Sequence, residues 1–171
     1  MNIFILSLDP AEAAQMQCDK HIPKMLLEST QLLCNAVSHG LSQTPSALSL
    51  RNGKGVYRKA HLGHPCSKWA LASSQNWLWL LDHASSLLEE YKFRFQNKPH
   101  KCEEMLLWLR EHKNSITADL ADTTSMTPFA LAVGSEYKLR ATALESYRDF
   151  YRATKARFAK WEKGRSAPDW L

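Results

Sequence analysis

A thiol, two carboxylates, an imidazole and two amines fall within one short stretch, Cys18-Asp19-Lys20-His21-Ile22-Pro23-Lys24 and then Glu28. Positions 21, 24 and 28 are spaced by three and four, so a helix would carry His21, Lys24 and Glu28 on one face. Such a face holds an acid, a base and a cation together. Glu28 has Met25, Leu26, Leu27, Leu32 and Leu33 close by in sequence. A carboxylate in that apolar setting is expected to be partly buried, which tunes its proton affinity for acid–base work. The same trio also fits an amphipathic helix whose charges pair in solvent. The candidate catalytic residues are therefore Glu28, Lys20, Lys24, His21 and Asp19.

A second constellation is His61-x-x-His64-Pro65-Cys66-Ser67-x-Trp69, where an irregular segment meets a helix start. Free N–H groups and the positive helix end make His64 and Ser67 candidates for holding an anion such as a phosphate. A Cys66–His64 nucleophile and a helix cap at Ser67 with Cys66 packed as a small hydrophobe are the alternatives. A third set pairs rings with polar or cationic groups: Trp69, Asn76, Arg94, Lys138, Arg148, Tyr151, Arg152, Lys155 and Trp161. Stacking on aromatics together with Lys or Arg contacts to phosphates is how single strands and extruded bases are held. Most of these rings are nevertheless expected in the core.

Several classes are excluded by what is missing. There is no phosphate-binding Gly-rich loop, no H-E-x-x-H and no H-x-E with P-C-x-x-C, which argues against triphosphate hydrolysis, Rossmann cofactors, zincins and zinc deaminases. Cys18, Cys34, Cys66 and Cys102 form no C-x-x-C pair and read as reduced thiols, so no metal and no cofactor is expected. No apolar run reaches the roughly 18 to 20 residues of a membrane span, and MNIFILSLDP lacks a signal-peptide pattern. A cytoplasmic protein with no membrane partner is expected, a monomer by default.

The elements that must position these groups follow from the 171 residues, 44% of them hydrophobic, enough for one compact domain over 1–171. IFILSL at 3–8 suits a short strand or extended arm. Asp9-Pro10-x-Glu12 starts a helix that runs to about Ser38, interrupted beside Ile22 and Pro23. Residues 39–66, rich in Gly and Pro, form a long irregular loop. A long helix is expected over Ser67–Phe95, a shorter one over Cys102–His112, mostly loop over 114–135, and a last helix over Ala141–Lys163. The fold class is all-α. Of the net charge of +5, all but one unit falls between Glu136 and Leu171, where nine Lys/Arg face five acids. A basic end interleaved with aromatics suits a phosphate backbone, with Arg148, Arg152 and Lys155 as its grip.

The segments QCDKHIPKMLLEST, HPCSKWALASSQNWLWL, LLEEYKFRF, TPFALAVGSEYK and ESYRDFY, with the opening MNIFILSLDP, resemble small phage and bacterial proteins described as pyrimidine-dimer DNA glycosylase-like. The resemblance spans nearly the whole chain. It extends more weakly to the phage pyrimidine-dimer glycosylase/endonucleases, compact all-α enzymes of the endonuclease V-like type that flip a base. Those enzymes use an N-terminal amine as nucleophile and a glutamate of the first helix. Their His seven residues before the catalytic Glu is matched by His21 and Glu28. The resemblance implies damaged or modified DNA as partner and Glu28 as the catalytic carboxylate. Asn2 after Met1 predicts that Met1 is retained, so the amine is sought at Lys20 or Lys24, or else Glu28 or Asp19 activates water. The function expected is a DNA N-glycosylase acting on a damaged or modified pyrimidine, with or without lyase activity. A base- or nucleoside-modifying transferase and a non-catalytic nucleic-acid-binding module are the alternatives.

Overall fold

The computed structural model describes residues 1–40 and 56–171. Among these residues lie seven α-helices and no strand: α1 (Pro10–Gln15), α2 (His21–Gly40), α3 (Pro65–Ala72), α4 (Ser74–Arg94), α5 (Glu103–Glu111), α6 (Lys113–Thr117) and α7 (Ala143–Lys155). The all-α expectation holds. Most of the expected loop over 39–66 lies outside the described residues, while 56–64 runs without regular structure up to α3.

α4 is the central helix, with α1, α2, α3, α5 and α6 all packed on it. Trp77 is wholly buried in its first turn and donates its indole N–H to the Leu33 carbonyl of α2 at 3.2 Å. Trp69, Trp79 and Trp161 likewise donate to the carbonyls of Thr127, Leu8 and Met16. Each large ring thus enters the core without leaving its polar atom unpaired.

Residues 3–6 form a buried arm without regular structure, bent at Phe4 and paired with no strand. Side chains do the work of a ladder: Gln17 donates to the Ile3 carbonyl and Arg148 to that of Leu6. Burying Ile3, Phe4, Ile5 and Leu6 contributes about 2 kcal/mol per side chain, so the arm is part of the core.

The helix boundaries differ from expectation in several places. Asp9 caps α1 as expected, its carboxylate accepting from Ala11 and Glu12. The interruption, however, falls at residues 16–20, ahead of Pro23. The Cys18 carbonyl accepts from His21 and Ile22 and opens α2 there. Pro23 then sits in the first turn, where a missing N–H costs nothing.

The helix expected over Ser67–Phe95 is two helices meeting at Ser73, which is extended (φ −158°, ψ 160°). Ser73 caps α4 through Asn76 N–H, while the Asn76 amide donates to the Trp69 carbonyl and accepts from Thr127 N–H. His64, not Ser67, caps α3, and the helix begins at Pro65. The expected loop after Glu111 contains α6. α7 opens on a Thr142–Glu145 capping box and ends at Lys155, eight residues early. Beyond it the chain turns back, with the Asp19 N–H donating to the Lys160 carbonyl and the Glu162 N–H to the Asp19 carboxylate.

Candidate active site

Glu28 lies on α2 with its side chain 16% exposed, and two amines flank its carboxylate. The α-amino nitrogen of Met1 is 4.0 Å from Oε2, and Lys24 Nζ is 3.8 Å from Oε1. The backbone N–H of Asn2 donates to Oε2 at 2.9 Å. The Asn2 side chain organises the rest of the turn. Its Oδ1 accepts from the N–H groups of Ile3 and Phe4, and its Nδ2 donates to the Ala132 carbonyl. Phe4 is thereby held at φ 56°, a left-handed conformation that costs a non-glycine residue about 1 kcal/mol. That bend lays the start of the chain against Glu28.

His64 lies close enough to this group to feel the charges of the Met1 amine and Glu28. Burial first, then the Met1 amine and His61, hold its imidazole below the usual range, against the opposing pull of Glu28. Its Nδ1 accepts the Cys66 N–H at 3.2 Å, which leaves Nε2 to carry the proton of the neutral ring. Cys66 is buried and its thiol is pushed up to about 11 by that burial. A Cys66 thiolate paired with His64 is therefore not formed, and Cys66 packs as a small hydrophobe beside Tyr147. The arrangement at Glu28 is a carboxylate within ion-pair distance of two amines, next to a neutral imidazole.

Comparisons with protein-family models, with curated proteins and with solved structures return no match. The functional reading therefore rests on the residues.

Of the other candidate catalytic residues, His21 is stacked on Phe4 at 4.9 Å between centroids, with Nδ1 2.7 Å from the Tyr151 hydroxyl. Burial, reinforced by Lys155, Lys24 and Lys20, pushes it down to about 4, so it is neutral at physiological pH. Asp19 is committed elsewhere, to Arg94 at 3.0 Å and to the Glu162 N–H. Lys20 is exposed, with its ammonium 4.9 Å from the centre of the Phe158 ring. The sequence singled out Glu28 and Lys24 but not the Met1 amine or Asn2, whose placement depends on the arm.

The nucleic-acid candidates divide by burial. Ser67, Trp69, Asn76, Arg94, Tyr151 and Trp161 are buried. Arg94 donates to the carbonyls of Gln15 and Gln17 and to the carboxylates of Asp19 and Glu90, so its guanidinium closes the α1–α2 junction onto α4. The Tyr151 hydroxyl accepts from Cys18 N–H at 3.0 Å, and Asn76 joins α3, α4 and the Thr127 segment. These side chains are engaged inside the fold. At the surface remain His64, Lys138, Arg148, Arg152 and Lys155. Arg148 is tied to the Leu6 carbonyl and lies over Trp170, and Arg152 is tied to Asp149 and to the Trp170 carbonyl. Lys138 is exposed beyond the short 3₁₀ turn at Ser135–Tyr137.

Proposed function

We propose that the protein is a DNA N-glycosylase of the endonuclease V-like type, acting on a damaged or modified pyrimidine turned out of the duplex. The observation that carries this is the carboxylate of Glu28 between two amines, Met1 N at 4.0 Å and Lys24 Nζ at 3.8 Å. As the N-glycosidic bond breaks, its electron pair leaves with the base and positive charge develops at C1′, which Glu28 stabilises. The lone pair of a deprotonated amine then bonds to C1′, and Glu28 takes and returns the protons that ring opening and imine formation require. Loss of a C2′ proton, which the imine acidifies, to a base then expels the 3′ phosphate with the C3′–O electron pair, the lyase half of the activity. Of the amines considered from the sequence, Lys24 fits this role by its distance to Glu28, and Met1 N joins it.

The test is borohydride trapping on duplexes carrying a panel of damaged and modified pyrimidines, followed by peptide mapping. A covalent adduct at Met1 or Lys24, lost in Glu28→Gln, is the expected result. Free base released with no adduct would move the chemistry to water activated by Glu28. A heavier base in the product would indicate a transferase, and an unchanged duplex on every substrate would reduce the protein to a binding module; either result overturns the proposal.

A further inference from the structure

Four cations from two separate parts of the chain gather around His21 and the foot of the arm. Lys20 and Lys24 flank the start of α2, and Lys155 and Arg157 sit at the end of α7. Three of them, Lys20, Lys155 and Arg157, lie over aromatic rings. Lys155 Nζ lies 4.9 Å from the centre of Phe150 and 5.9 Å from that of Phe4. Phe158 has Lys20 at 4.9 Å and the Arg157 guanidinium at 5.3 Å. The groups repel one another: Lys24 and Arg157, after burial, hold the Lys155 amine below its usual range.

Glu28 pairs with Lys24 of the cluster itself, while the other nearby carboxylates are committed elsewhere, Asp19 to Arg94 and Asp149 to Arg140 and Arg152. Among the described residues no carboxylate forms an ion pair with Lys20, Lys155 or Arg157. A fold that concentrates like charge over rings, at a cost in self-repulsion, recovers that cost when an anion neutralises it. Ring faces strengthen the hold on the cations but offer them no counter-charge.

We infer that Lys20, Lys24, Lys155 and Arg157 form the seat for the phosphodiester backbone of a nucleic acid strand, keeping Lys155 of the Arg148, Arg152 and Lys155 grip expected from the sequence and replacing its two arginines. A nucleic acid is favoured over a single phosphate because the cations span two elements and lie beside Lys24, which also faces Glu28. A strand held here runs next to the reactive carboxylate. The inference rests on the proposed function for its choice of partner, but it concerns binding and not chemistry.

The test is fluorescence anisotropy of a labelled duplex bearing a tetrahydrofuran abasic site, from about 50 to about 200 mM KCl. Lys20→Gln and Lys155→Gln are each expected to weaken binding about threefold to tenfold and to lower the slope of log affinity against log salt by about 1. Arg157→Gln, exposed beyond α7, is a third variant should one fail to fold, and Lys113→Gln on α6 is the control. Equal slopes for the wild type, Lys20→Gln and Lys155→Gln would overturn the inference. So would a loss no larger than that of Lys113→Gln, or a dependence on these lysines seen with anionic vesicles but not with the duplex. Lowered slopes without base release on any substrate would keep the phosphate seat while removing the glycosylase reading. Base release with unaltered slopes would do the reverse.

Discussion

The backbone N–H of Asn2 donates to Oε2 of Glu28 at 2.9 Å across a separation of 26 residues. This bond joins the arm to α2 at the point where the Met1 amine meets the carboxylate. The distance between amine and carboxylate is thus set by the turn at Asn2 and Phe4, and not by α2 alone.

Asn2→Ala removes an acceptor shared by Ile3 and Phe4 and a donor to Ala132. It is expected to lower stability by about 1 to 3 kcal/mol, measured by urea unfolding. It should also slow imine trapping by more than the stability loss explains, while duplex affinity stays near wild type. Trapping at the wild-type rate would show that the turn does not position the amine.

The two amines beside Glu28 are separable. A glycine placed before Met1 converts its α-amine into an amide, whereas Lys24→Gln removes the other. Single-turnover trapping is expected to fall at least about 100-fold in whichever variant lacks the nucleophile. The other variant should retain an adduct that maps to the surviving amine.

Acid should destabilise the fold through two imidazoles. His21 and His83 are both pushed down to about 4 by burial, and His83 sits between the Pro10 carbonyl and the Gln17 amide. In the unfolded chain each titrates near 6.5, so below that pH the unfolded state binds more protons and stability falls. The loss runs from about 6.5 to about 4 and stops where the folded imidazoles protonate in turn, each accounting for on the order of 3 kcal/mol. Thermal unfolding across that window checks it. His83→Gln should flatten the dependence, and an unaltered slope would remove His83 as a source.

Arg94→Leu should be among the most damaging single changes away from Glu28. The guanidinium is fully buried and pairs with Asp19 at 3.0 Å and Glu90 at 2.9 Å. Glu90 keeps Arg165 after the change, but the Asp19 carboxylate keeps only a backbone N–H. Leaving such a charge unpaired costs about 3 to 5 kcal/mol, read from denaturant midpoints. A cost under about 1 kcal/mol would mean that Asp19 is solvated.

Tyr151→Phe tests whether the hydroxyl supports the fold or a ligand. It accepts from Cys18 N–H and lies 2.7 Å from His21 Nδ1. Its loss is expected to cost about 1 to 3 kcal/mol of stability, by thermal or urea unfolding, and to leave the salt dependence of duplex binding unaltered. A lowered slope would return Tyr151 to the binding surface.

Much was legible from local patterns. The all-α class followed from apolar spacing, and the start of α1 from Asp9 and Pro10. Glu28 and Lys24 were legible because an i, i+4 pair on a helix is a local relationship. What misled were the boundaries. Apolar periodicity ran straight through Ser73 and past Lys155, but the chain breaks where side chains or a returning segment take over the backbone bonds. Asn76 does this beside Ser73, and Asp19 does it for residues 160–162.

By itself the sequence determined the helical composition, the position of Glu28 among apolar neighbours and the excess of positive charge near the C-terminus. Only the tertiary structure decided which charges face one another. Tyr151 and Arg94 read as binding residues until the fold turned them inward, because a buried hydroxyl or guanidinium must find partners that local spacing does not specify. The Met1 amine reached Glu28, and Lys155 reached Lys20 and Lys24, through contacts between distant segments, which hydrophobic burial of the arm and of α7 brings together.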